Sequence, residues 1–364
     1  MTRLILHVGS HKTGTTQIQS HLFAARRALR RDGVVYDPAS RRFGLTPSAM
    51  HGLVSAIAGG DAKAAHRAER HRDRLLRRAG GGGTVVVSSE RLWRVTDGGG
   101  YLGEDGPAAR AAFLRRFRDW CAPFHAVPLA VLRRPDSFAM SLYKSAVAGD
   151  GTTMDLEGWL GRRRAVLDYS ARIADWQGFD DPPVLVRFED VAGPRLAETV
   201  MAAVGIRLPP TPISMPRRPG LSDRATLWML RARSETQPDR WTHRARWRFA
   251  TAGGYPGFAS DEPTTLWPNA QTRDDVFRFA TKDLPFGLGW DAPGPLPKPA
   301  VWSDEDHAAA EAAFARWRLE NRHDLYARDV VRAFPFAGPE AVPPLRGALL
   351  RGISRLLGPV GLGR

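Results

Sequence analysis

Residues 4–29 constrain the fold more than any other stretch of this 364-residue chain. Leu4-Ile5-Leu6-His7-Val8 is a short apolar run bounded by Gly9, the pattern of a strand buried on both faces. The segment Gly9-Ser10-His11-Lys12-Thr13-Gly14-Thr15-Thr16 follows directly. Ile18, Leu22, Ala25 and Leu29 then recur at helical spacing, and Gly33 stands where a helix stop belongs. A glycine turn between a strand and a helix presents backbone N–H groups, and the positive end of the helix dipole, to an anion.

The rest of the N-terminal half repeats the alternation of strand and helix. Val34-Val35-Tyr36 starts a second strand, 61–79 has helical propensity, and Thr84–Val87 is a third strand followed by Ser88-Ser89-Glu90. A helix is expected over 107–121, a strand over Ala126–Leu132 and a helix over Ser137–Ala148. Pro183–Val186 reads as a strand running into Arg187-Phe188-Glu189-Asp190, with a helix over 194–204. This order implies an α/β fold: a P-loop-like, doubly wound parallel sheet with helices on both faces. Its ligand crevice should lie beyond the carboxyl ends of the strands. After the stiff connector Leu208-Pro209-Pro210-Thr211-Pro212 the character changes. Helices are expected over 221–237 and 303–333, and 250–300 is rich in Gly, Pro and aromatics. The expected organisation is a nucleotide-binding core over 1–208, a mostly helical region over 209–340 completing the substrate side, and a basic amphipathic tail over 341–364.

Composition narrows the function classes. The net charge is +15, yet only five of the 53 basic residues are lysine, which reads as the codon bias of a GC-rich genome rather than a nucleic-acid surface. No named DNA- or RNA-binding motif is present, so the basic field is read as drawing in anionic small molecules, not nucleic acid. The single cysteine, Cys121, excludes an internal disulfide framework. With no secretory leader and no apolar run of membrane-spanning length, the chain reads as cytoplasmic. There is no H-E-x-x-H, no Cys/His cluster and no G-x-S-x-G, so metal-hydrolase and nucleophile-elbow chemistry are not expected.

Two segments carry the chemistry. An NTPase loop places its lysine after the second glycine, beside a magnesium ion. Here Gly9 and Gly14 keep the glycine spacing, but Lys12 lies inside the loop and Thr15-Thr16 take the lysine and hydroxyl positions. A lysine so placed reaches the bridging oxygen of a two-centre anhydride and neutralises charge on the leaving phosphate without a metal. The second segment is Val131-Leu132-Arg133-Arg134-Pro135-Asp136, a strand end with Ser141 one to two turns into the next helix. Pro135 suits a helix start, and an arginine and a serine so spaced converge on one phosphate.

The stretch HVGSHKTGTT resembles the 5′-phosphosulfate loop of the sulfotransferases that use 3′-phosphoadenosine 5′-phosphosulfate (PAPS). Arg133, Pro135 and Ser141 match the spacing of that family's 3′-phosphate motif, and VRFED at 186–190 is similar to its [VR][YF]ED element. The resemblance covers roughly residues 4–205 through separated motifs; the family's C-terminal glycine-rich nucleotide segment has no clear counterpart. It therefore points to the bacterial and carbohydrate-type branch. It implies PAPS as co-substrate with no metal, Lys12 as catalytic electrophile, and Thr13, Gly14, Thr15 and Thr16 as phosphate ligands. Arg133 and Ser141 would hold the 3′-phosphate. Arg187 is a weaker candidate in an element read as structural. The reading is sulfuryl transfer to a hydroxyl acceptor, a glycan, glycolipid or other small metabolite. A P-loop kinase or NTPase, or a non-catalytic nucleotide-binding relative, is the alternative.

Such a transfer needs a base for the hydroxyl proton. Glu90, at the end of the third strand and between the two phosphate motifs, is the first candidate; His51, opening Gly52-Leu53-Val54, is the second. His11, inside the loop, is a candidate donor contact, and His7, within the first strand, reads as structural. The aromatics of 228–302 suit a sugar ring, or a packed core. Leu345, Leu349, Ile353, Leu356 and Leu357 with Arg346, Arg351 and Arg355 form the amphipathic tail. Docking on its own domain or a second subunit is the first reading of that tail, peripheral contact with an anionic membrane the second.

Overall fold

The computed structural model describes residues 1–37, 50–59, 61–102, 105–210, 220–236, 238–284 and 288–321. The amphipathic tail and residues 322–333 of the expected last helix lie outside them. The core is a five-stranded, wholly parallel sheet: β1 (Thr2–His7), β2 (Val34–Val35), β3 (Thr84–Ser88), β4 (Phe124–Leu132) and β5 (Val184–Arg187), in the order β2-β3-β1-β4-β5. The α/β expectation holds, with strand ends shifted by one or two residues.

Two-residue periodicity sorts the strand side chains onto two faces. Ile5, Val86, Val127, Leu129 and Val131 pack beneath α1 (Thr15–Arg31), whose Ile18, Leu22, Ala25 and Leu29 form one stripe, and beneath Leu196 and Val200 of a later helix. Leu4, Leu6, Val85, Val87, Ala130 and Leu132 face the opposite way. That face is covered by α2 (Met50–Ala58), α3 (Ala62–Ala79), α4 (Pro107–Cys121) and α5 (Pro135–Ser145). β1 therefore sends its helix to one face while β3 and β4 send theirs to the other. The loops at their carboxyl ends diverge and leave a crevice there.

The chain continues through α6 (Leu156–Leu167), α7 (Tyr169–Ala174), α8 (Phe188–Val191) and α9 (Leu196–Ala202), then α10 (Asp223–Thr236) and α11 (Arg240–Thr251). Next come the two-stranded pair β6 (Thr264–Thr265) and β7 (Lys298–Pro299), flanking α12 (Ala270–Thr281), and last α13 (Asp304–Glu320). α12 is a helix not singled out from the sequence, within the Gly-, Pro- and aromatic-rich stretch 250–300. Asn269 caps it by accepting from Thr272 N, and Arg273, Phe277 and Ala280 bury one side, a helical signal masked by the Gly and Pro on either side. Aromatics of the C-terminal region form a core: Trp228, Phe249, Phe258 and Phe314 pack with ring centroids 5.1–5.8 Å apart. Among the described residues no helix is long and apolar enough to cross a membrane.

Candidate functional site

The loop after β1 is fastened to β4 before it turns. Val8 N donates to Leu129 O and Ser10 N to Val131 O, each at 2.9 Å, which prolongs the sheet by two rungs. Gly9 and Ser10 are buried, and Ser10 Oγ donates to Val131 O at 3.2 Å. The chain then reverses through two left-handed residues, Lys12 (φ 70°) and Gly14 (φ 71°), and α1 begins at Thr15. A Cβ on Gly14 would drive into Leu196, so glycine is required by both backbone and space. Lys12 has no such freedom; a lysine held at positive φ is a mark of a constrained site.

A cleft of about 710 Å³ opens over this loop, within the range of ligand pockets. Of the residues singled out from the sequence, it brings together His11, Lys12, Gly14, Thr15, Thr16, Glu90, Arg133 and Ser141. Gly9 and Thr13 are not on its wall. Thr13 is fully buried and its hydroxyl turns inward to Ser10 O at 2.5 Å, so it braces the loop through its side chain. Thr15 Oγ1 is buried and has no hydrogen-bond partner. An orphaned hydroxyl at the first turn of a helix, beside two left-handed residues, fits an anion that would accept from it. His51 lies on α2, and its side chain is outside the described residues.

Glu90 opens a short 3-10 turn, Glu90–Trp93, directly after β3. Ser89 N donates to His7 O at 3.0 Å, continuing the β1–β3 pairing up to the cleft rim. Gln19 of α1 steadies the carboxylate: its Nε2 donates to Ser88 O at 3.1 Å and to Glu90 Oε2 at 3.3 Å. The turn itself is clamped from below by buried Arg110 of α4, which donates to Leu92 O (2.8 Å) and Val95 O (2.7 Å) and pairs with Asp175 at 3.0 Å. Burial lowers the Arg110 pKa to about 10, against the pull of Asp175. His7 is fully buried with Nδ1 2.7 Å from Ser88 Oγ. Burial lowers its pKa to about 4, outweighing the raising effect of Glu90, so it is neutral at ordinary pH.

Arg133 reaches from the end of β4 to the loop: its NH1 donates to Lys12 O at 3.3 Å. Its backbone is fixed by Tyr169 OH, which donates to Arg133 O at 2.5 Å. Burial lowers the guanidinium pKa, while Glu189, Tyr169 and Asp136 oppose the shift. The VRFED segment holds the same turn in place, because Glu189 accepts from Arg134 N at 2.9 Å and from Trp290 Nε1 at 3.0 Å. Arg187 donates to Gly289 O at 2.5 Å and to Asp190 at 2.9 Å, and is not on the cleft wall.

Several residues of the site were not singled out from the sequence. Arg94 Nε donates to His11 Nε2 at 2.9 Å, with the guanidinium 4.3 Å from the Tyr101 ring centroid. Ser137, Met140 and Lys144 join Ser141 on the cleft, a 3–4 spacing along α5 that was legible locally. Asp223 and Thr264, which had no local signal, close the far wall with Trp267, one of the aromatics of 228–302. Among the described residues, Trp267 is the ring of the aromatic-rich segment that reaches this wall.

No family model matches the chain, and no curated protein matches it. Among solved structures it is similar to a sulfotransferase from Alicyclobacillus acidocaldarius. The identity is 17%, the TM-score 0.34, and the match covers 67% of this chain and 98% of that one.

Proposed function

We propose that the chain is a sulfotransferase that moves a sulfuryl group from PAPS to a hydroxyl-bearing acceptor. One observation carries the reading. Two segments suited to anions, 121 residues apart in sequence, meet on one cleft, joined by Arg133 NH1 to Lys12 O, with the Glu90 carboxylate on the same cleft. The donor would supply an activated sulfuryl group on a phosphosulfate anhydride. The left-handed loop, the start of α1, the orphaned Thr15 hydroxyl and Thr16 suit its 5′-phosphate. Arg133 and Ser141 suit the 3′-phosphate.

Lys12 holds positive charge where the leaving phosphate gains negative charge, and an ammonium in a partly enclosed cleft acts there more strongly than in water. Glu90 takes the acceptor's hydroxyl proton as the new oxygen–sulfur bond forms and the anhydride sulfur–oxygen bond breaks. Gln19 keeps one carboxylate oxygen directed during that transfer. The chemistry of the loop and of the second site supports this donor; the acceptor wall is mixed, and a sugar ring is the acceptor that Trp267 favours.

Calorimetry with 3′-phosphoadenosine 5′-phosphate, the desulfated product, against ATP with magnesium tests the reading. The bisphosphate should bind more tightly; tighter binding of ATP with magnesium would make the chain a kinase or NTPase instead.

A further inference from the structure

One cation on the cleft has no part in the chemistry above. α5 turns Ser137, Ser141 and Lys144 to the cleft, while Leu142 and Tyr143 between them are buried. Lys144 Nζ lies 2.7 Å from Asp223 Oδ1, and Thr264 Oγ1 donates to Asp223 Oδ2 at 2.9 Å. The Lys144 side chain is 23% exposed, and that of Asp223 10%. The ammonium is thus held in one place at the cleft wall, and one carboxylate oxygen engages only part of its three-donor capacity.

A second phosphate has acceptor oxygens for the donors that Lys144 keeps free of Asp223. A phosphate monoester carries about −1.5 to −2 at neutral pH. Arg133 contributes one positive charge, already partly removed from water, and Ser141 contributes none. Lys12 belongs to the loop beneath the other end of the donor. Lysine usage points the same way. The chain has five lysines among 53 basic residues, and two of the five, Lys12 and Lys144, line this one cleft. An ammonium has three donors, enough to serve a carboxylate oxygen and a phosphate oxygen together.

We propose that Lys144, positioned by Asp223, is a further ligand for a terminal phosphate monoester on the Arg133–Ser141 side of the cleft. The inference rests on the donor reading above and adds to it a further charged hydrogen-bond donor for the second phosphate site.

The test is calorimetry on the full chain with 3′-phosphoadenosine 5′-phosphate and with adenosine 5′-phosphate, which lacks the 3′-phosphate. Lys144→Gln should weaken the bisphosphate about tenfold to a hundredfold, the worth of a charge-assisted hydrogen bond, and leave the monophosphate within about twofold. A merely structural ion pair would weaken both nucleotides alike, and that result, or an unchanged preference, overturns the proposal. If the wild-type chain does not prefer the bisphosphate, the donor reading falls with it; a wild-type preference that survives Lys144→Gln sinks this inference alone. A second measurement needs no variant. The bisphosphate should shield Lys144 from acetylation, read by mass spectrometry, and adenosine 5′-phosphate should not; equal labelling with both counts against the proposal.

Discussion

Lys12 and Gly14 hold left-handed backbone and Thr15 a buried unpartnered hydroxyl, features that cost local stability and that the proposed function turns to binding. Thr15 keeps a buried hydroxyl without a partner, which costs about 1–3 kcal/mol relative to a satisfied group. Thr15→Val removes that hydroxyl at nearly the same shape. It should raise stability by up to about 1 kcal/mol in urea unfolding, while calorimetry shows weaker nucleotide binding. Gly14→Ala acts against both, because a Cβ at φ 71° is strained and would push the buried Leu196 side chain aside. The unfolding midpoint should fall and nucleotide affinity be lost. At Glu90 the two properties separate: Glu90→Ala should bind 3′-phosphoadenosine 5′-phosphate like the wild type and turn over at least about a hundredfold more slowly, the range of a lost general base. A fully active Glu90→Ala would move that role to His51.

The elements that bear these residues are aimed by polar groups beneath the cleft. Arg110 binds two carbonyls of the segment that begins with Glu90, and Asp175, shared with Arg172, holds Arg110. Arg110→Met leaves Leu92 O and Val95 O without that donor and should destabilise the protein by about 3 kcal/mol. Steady-state kinetics should show kcat falling more than donor affinity, since the turn bearing Glu90 loosens while the β1 loop does not. β1 and β3 carry a second buried polar pair, His7 with Ser88. The unfolded chain protonates this histidine near 6.5, the folded chain only near 4. Its contribution to stability is therefore intact above about pH 6.5 and lost as pH falls towards 4, at most roughly 3 kcal/mol. His71 acts in the same direction: burial, then Arg74 and Arg78, bring it to about 3. Urea midpoints at pH 7 and pH 4.5 should differ accordingly, and His7→Asn should make the slope shallower.

At the scale of the molecule, one hydrophobic cluster runs from Leu4 through α4 and α5 to Trp228, Phe249 and Phe314. Lys144 pairs with Asp223, His243 Nε2 lies 2.9 Å from Val147 O, and the Ser170 hydroxyl binds Lys282 O. Residues 1–208 alone should consequently expose the outer side of α5, bind a hydrophobic dye and unfold at lower urea than the full chain. The strand-loop-helix at 2–31, the arginine and serine bracketing the start of α5, and Glu90 at a strand end were all legible in the sequence. Each depends on a two- or 3.6-residue period or on spacing within one turn. Lys144 was equally legible, one turn beyond Ser141, and α12 was obscured only by its flanking Gly and Pro. No period in the chain brings Arg133 to the carbonyl of Lys12, turns the Thr13 hydroxyl inward, or sets Asp223, Thr264 and Trp267 opposite α5. Those depend on strand order and on how helices pack across the sheet, where the interacting groups are far apart in sequence and share no local pattern. The sequence by itself determined which residues are suited to an anion; the tertiary structure decided that they line one cleft, and what stands on the facing wall.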